Sequence, residues 1–71
     1  MKDENIIIGE WLTEKRTKKG LSQEEIAKKL GVSKAAVCRY EKGARALTAT
    51  RFLEICKILD ADPTELSGKI I

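Results

Sequence analysis

The 71-residue chain has no histidine, two cysteines and one proline. Without histidine, and with only Cys38 and Cys56 as soft donors, a zinc site lacks its ligands. Two thiols this far apart do not make a disulfide framework, so both are expected to be reduced. A constellation of acid, base and nucleophile is also missing, as is a glycine-rich phosphate loop, so neither an enzyme nor a cofactor is expected. The length suits one small core and not a cleft between lobes. No apolar run approaches the roughly 20 residues that span a bilayer. Ile6-Ile7-Ile8 is too short for a signal-peptide core and follows Asp3 and Glu4 instead of basic residues. A cytoplasmic protein with no membrane partner and no evident small-molecule ligand is expected. Lacking staples, such a domain has modest stability unless it dimerises.

Alternating strand patterns, repeats, linkers and low-complexity segments are absent too, and what remains is helical punctuation. Ile8, Leu12 and Arg16 share one face of a first helix over about 6–19, stopped at Gly20. Ser22 with Glu25 three residues on is a capping box for a second helix, buried through Ile26, Ala27 and Leu30 and ended by Gly31. Ser33 caps a third, with Val37 and Tyr40 as its inward stripe and Gly43 at its end. Thr48 caps a fourth, whose Phe52, Ile55, Cys56 and Leu59 recur at helical spacing. Asp62-Pro63-Thr64-Glu65 opens a short fifth. Connections of about two to five residues favour a compact all-α bundle.

Charge is unevenly spread. Residues 1–32 carry seven basic and six acidic groups, residues 33–51 five and one, and residues 52–71 two and four. The middle third is therefore a positive patch, which fits either a polyanion partner such as nucleic acid or a merely solvated basic surface. The segment from Gln23 to Lys42 favours the first. Small Ala27 allows two helices to cross closely, Gly31 permits a sharp turn, and Ile26, Leu30, Val32, Val37 and Tyr40 fall inward. A helix-turn-helix needs this spacing, because one helix must brace a second whose outer face stays free.

The segment "LSQEEIAKKLGVSKAAVCRYEKG" resembles the phage-repressor and Cro type of helix-turn-helix, also called the xenobiotic-response-element type. The similarity runs from about Ile8 through Leu66, including "DPTEL" as the last short helix. The resemblance implies a compact five-helix, lambda-repressor-like domain over 1–71, with its core at about 6–67 and the helix-turn-helix at about 22–42. It implies a transcriptional regulator, in the first instance a repressor of bacterial or phage origin, that puts its third helix into the major groove of a palindromic operator as a homodimer.

Residue by residue, Lys34, Ala35, Cys38 and Arg39 form the expected base-facing surface. Arg39 matches the O6 and N7 of guanine, Lys34 either reads guanine or holds a phosphate, and Ala35 offers a methyl group. Both Ala35 and Ala36 are read as clearance for base edges. Cys38 is read as a small spacer, with redox sensing as the alternative. Ser22, Gln23, Ser33, Lys42 and Arg45, with Arg51 beyond them, are expected along the phosphates. Arg16 and Glu41 match a pair that links the first helix to the end of the third.

Three positions depart from the family pattern. Lys15 stands where an apolar residue is common, beside Trp11; Tyr40 replaces an aliphatic residue; Ala49 is smaller than the usual leucine. Trp11, Ile6, Ile7, Leu66, Ile70 and Ile71 are candidates for a dimer surface. The competing reading is a protein-interaction module, such as an antitoxin or a co-regulator, with a partner face centred on Trp11. Its marker would be an added segment, and five residues follow Leu66.

Overall fold

The computed structural model describes residues 3–70, with side chains described through residue 68. It is all-α: α1 spans Glu4–Lys18, α2 Gln23–Leu30, α3 Lys34–Lys42 and α4 Ala49–Leu59. A 3-10 turn, Pro63–Leu66, then runs into a single α-helical turn, α5, Ser67–Ile70. No helix among the described residues is long and apolar enough to cross a membrane.

Local chemistry sets the helix starts. Ser22 and Glu25 complete the capping box, with Glu25 N donating to Ser22 Oγ at 3.0 Å and Ser22 N to Glu25 Oε1 at 2.9 Å. Ser33 Oγ accepts from Ala36 N at 3.1 Å, and Thr48 Oγ1 from Arg51 N at the same distance. The first helix begins earlier than the apolar pattern predicts, because the Asp3 carboxylate accepts from Asn5 N at 2.7 Å and caps it. The expected fifth helix is instead divided between the 3-10 turn and the single α-helical turn. Asp62 caps it by accepting from Thr64 N, and Ser67 N closes an i to i+3 bond on the Thr64 carbonyl.

The core joins Trp11 and Leu12 of α1, Ile26 and Ala27 of α2, Ala36, Val37 and Tyr40 of α3, and Ile55, Cys56 and Leu59 of α4, closed by Leu66. Two glycines let α1 lie directly on the last turn of α3. A Cβ on Gly9 would stand 2.7 Å from the Tyr40 carbonyl oxygen and closer still to that of Glu41. A Cβ on Gly43 would stand 2.7 Å from the Ile6 backbone, and Gly43 itself takes a φ of +73°. Here the chain needs both the left-handed conformation and the missing side chain.

Trp11 is a core residue at 2% exposure, so it does not form a partner-binding face, and Leu66 is likewise buried at 5%. Of the expected dimer surface, Ile6 is exposed and Ile7 half-buried. The Ile70 side chain and Ile71 lie outside the described residues.

Lys15 and Trp11 share one task. Lys15 Nζ lies 2.7 Å from Glu65 Oε1 and 5.8 Å from the centre of the indole ring. Trp11 Nε1 donates to the same Glu65 oxygen at 3.3 Å, while the ring packs 6.1 Å from Phe52. A lysine is thus accommodated on α1 because the chain brings a carboxylate back to it, and the C-terminal turn is clasped to α1.

Hydrogen bonds from Lys15 and then Trp11 hold Glu65 below the usual carboxylate range; Thr64 does the same for Asp62, and the backbone and hydroxyl of Ser22 for Glu25. Carboxylates depressed in the folded state add stability above their ordinary values and lose it as pH falls through the folded ones. Acidification from about pH 5 to about pH 3 is therefore expected to lower the melting temperature and release the clasp. Trp11 fluorescence and far-UV circular dichroism read the two events, and a melting temperature flat across that range would contradict the assignment.

Candidate nucleic-acid interface

The third helix divides cleanly into an anchored and an open side. Ala36, Val37 and Tyr40 are buried, whereas Lys34, Ala35, Arg39 and Lys42 are exposed and Cys38 is half-buried. Residues 34, 35, 38 and 39 are spaced by one helical turn and so share a face. Ala36 is a correction: at 7% exposure it packs into the core and gives no clearance outside. The small residue is needed inward, where α3 meets its neighbours.

The turn into this helix is built as its glycine requires. Gly31 adopts a φ of 74°, and Val32 N donates back to the Ala27 carbonyl at 3.0 Å, closing the end of α2. Ser22 and Ser33 are exposed, with each hydroxyl oxygen accepting a capping bond and its proton left to donate. Lys34, Arg39, Lys42 and Arg45 make no ion pair or side-chain hydrogen bond among the described residues. Arg51 differs: it donates to the Leu30 carbonyl at 3.3 Å and lies 3.6 Å from Glu54, so it ties α4 to the end of α2.

Beneath this face lies one charged network. Arg16 Nε meets Glu41 Oε2 at 2.6 Å, Arg16 Nη2 meets Glu41 Oε1 at 3.2 Å, and Arg16 Nη1 donates to the Leu21 carbonyl at 2.8 Å. The guanidinium thus grips the carboxylate with two N–H groups and the α1–α2 loop with a third. Gln23, expected only at a phosphate, donates Nε2 to Glu41 Oε1 at 2.9 Å. One amide N–H is committed inward and one remains. Glu41 therefore links α1, the first residue of α2 and the end of α3.

The two thiols sit in opposite environments. Cys56 is buried in α4, and burial pushes its thiol up from the usual range, whereas Cys38 lies on the open side of α3. In the folded protein, Cys38 is expected to react with a thiol reagent well before Cys56, with Cys56 released on unfolding. Equal rates at both sites would overturn this placement.

A helix-turn-helix family model matches residues 12–66, from the first buried leucine of α1 to the end of the 3-10 turn. The chain belongs to the Cro/C1-type helix-turn-helix family. Members of this family are DNA-binding transcription regulators. The chain is 35% identical over 52 residues to an uncharacterized transcriptional regulator in the ATPase CF(0) region of Rhodospirillum rubrum, covering 73% of this chain and 48% of that protein. It is 36% identical over 63 residues to a putative transcriptional regulatory protein of Thermococcus kodakarensis, covering 84% of this chain and 20% of that protein. The chain thus spans less than half the length of these curated relatives.

Among solved structures, the restriction-modification controller protein C.AhdI of Aeromonas hydrophila superposes with a TM-score of 0.80 at 36% identity, covering 89% of this chain and 96% of that one. The clp gene regulator ClgR of C. glutamicum superposes at 0.89 over 100% of this chain and 97% of that one, but at 20% identity it bears on the fold alone.

As a Cro/C1-type domain, the chain holds two features that pattern reading missed. Gly9 carries no periodic signal, yet a glycine inside an otherwise helical run is a mark of close approach. The engagement of Gln23 by Glu41 has no sequence signal, since the two residues are 18 positions apart on different helices.

Proposed function

We propose that this chain is a sequence-specific, double-stranded-DNA-binding transcription regulator that acts as a repressor in the cytoplasm. In this reading it binds a two-fold operator as a homodimer and inserts α3 into the major groove. The observation that carries the reading is the division of α3. Ala36, Val37 and Tyr40 hold the helix from below, while Lys34, Ala35 and Arg39 stay exposed beside the half-buried Cys38, with Lys42 and Arg45 beyond them.

Arg39 is the base reader, through its planar fork to guanine. Lys34 adds a second hydrogen-bonding contact, and Ala35 and Cys38 give close apolar approach. Lys42, Arg45 and the N-terminal turns at Ser22, Gln23 and Ser33 hold phosphates, where free backbone N–H groups favour an anion. Gln23 serves with its remaining amide N–H. With few direct hydrogen bonds, part of the specificity comes from DNA shape and bridging water. Two half-sites about 34 Å apart call for a two-fold pair of subunits.

Selection of bound duplexes from a random pool tests this reading, and a palindromic consensus is the expected result. On that duplex Arg39→Ala is expected to weaken specific binding by about 1–3 kcal/mol, with a smaller effect on unrelated DNA. Equal losses on every sequence would remove Arg39 from base reading. Arg45→Ala is expected to reduce the salt slope by about one counterion, and an unchanged slope would take it off the backbone. Sedimentation with the duplex should give two chains per site; one chain per palindrome would end the two-fold model.

A further inference from the structure

A cleft of about 260 Å³ opens between the start of α1, the end of α3 and the start of α4. Its apolar wall is made by Ile8, Leu47 and the ring of Phe52. Ala49 lines it as well, exposed at the first position of α4; a larger side chain there would occupy the space.

Three polar side chains on this cleft have no partner among the described residues. They are the amide of Asn5, the hydroxyl of Tyr40 and the guanidinium of Arg45. Tyr40 is the most telling, because the residue is only 7% exposed and packs its ring into the core, while its unbonded hydroxyl stays open to solvent at the cleft. Arg45 is exposed and has no carboxylate of the described residues on it. At the start of α4, Thr48 satisfies the Arg51 N–H, while the N–H groups of Ala49 and Thr50 have no acceptor among the described residues. An apolar wall with a few convergent polar groups is the usual composition of a small-molecule site.

We propose that this cleft binds a small amphipathic carboxylate of about ten non-hydrogen atoms, with its carboxylate on Arg45 and the Tyr40 hydroxyl and its apolar body against Ile8, Leu47 and Phe52. The apolar wall distinguishes such a ligand from a bare phosphate, which has no use for it. Arg45 is also assigned to the DNA backbone, so an occupied cleft would compete with DNA and act as an inducer site; this consequence rests on the DNA-binding reading. The site itself does not, and its test contains no DNA.

Benzoate and hexanoate, titrated into the free 15N-labelled chain, are expected to give saturable amide shifts at Ile8, Tyr40, Leu47 and Phe52. Benzyl alcohol, which lacks the charge, and inorganic phosphate, which lacks the apolar body, should each bind at least tenfold more weakly. Arg45→Gln, at an exposed position, should weaken benzoate at least tenfold, and Ala49→Leu should abolish the shifts while the melting temperature stays within a few degrees. Non-saturating shifts with both carboxylates would overturn the proposal. So would benzoate binding that survives Ala49→Leu, or phosphate binding as tight as benzoate, which would leave an anion site of the DNA-backbone kind only.

Discussion

Glu41→Ala is expected to lower the free energy of unfolding by about 3–5 kcal/mol, the cost of leaving a buried charge without its partner. The Glu41 side chain is 8% exposed and that of Arg16 14%, so water does little to replace the lost contact. The variant strands the guanidinium, deprives the Gln23 amide of its acceptor and loosens the end of α3. A domain of this length has about 4–10 kcal/mol in total, so much of the population is expected to unfold at elevated temperature. Urea unfolding at constant pH measures the loss. The double variant Arg16→Met/Glu41→Leu removes both charges and is expected to recover most of the stability, within about 2 kcal/mol of the parent. If the single variant were as stable as the parent, or the double variant no better than the single, the network would not bear on stability as described.

Gly9→Ala is expected to cost about 1–3 kcal/mol even though alanine favours a helix by up to about 1 kcal/mol over glycine. The new Cβ would meet the carbonyl oxygens of Tyr40 and Glu41, which are backbone atoms and yield only if α1 and α3 part. The melting temperature should fall by about 4–8 °C for each kcal/mol. Gly68→Ala is the matched control, because nothing lies within 4 Å of its added Cβ. Its melting temperature is expected to stay level or rise. Equal behaviour of the two variants would show that helix propensity, and not close packing, governs Gly9. The DNA affinity of Gly9→Ala should fall along with its stability, because the displaced helix is the one assigned to the groove.

Much of this was legible from local pattern. The capping box at Ser22, the caps at Ser33, Thr48 and Asp62, and the glycines after α2 and α3 all involve partners within about four residues, where side-chain reach and sequence spacing coincide. The inward stripe of Val37 and Tyr40 followed from helical spacing in the same way. Ala36 did not, because a methyl group is equally at home on either face and only the distance to a neighbouring helix decides. Trp11 was misleading as a partner face, and Lys15 beside it as a break in the apolar pattern, for a related reason. Their partner, Glu65, lies 54 residues from Trp11 and reaches it only once the C-terminal turn has folded back.

The sequence by itself determined where the second and third helices begin and end and where the fourth begins, and that the third carries a basic outer face, because capping and periodicity act over one helical turn. Only the tertiary structure decided that α1 rides on the carbonyls of α3 at Gly9, that Glu41 draws Gln23 into its pairing with Arg16, and that Tyr40 and Arg45 border a cleft. Each of these depends on the separation of helices distant in the chain, and that separation is set by how all the side chains pack at once.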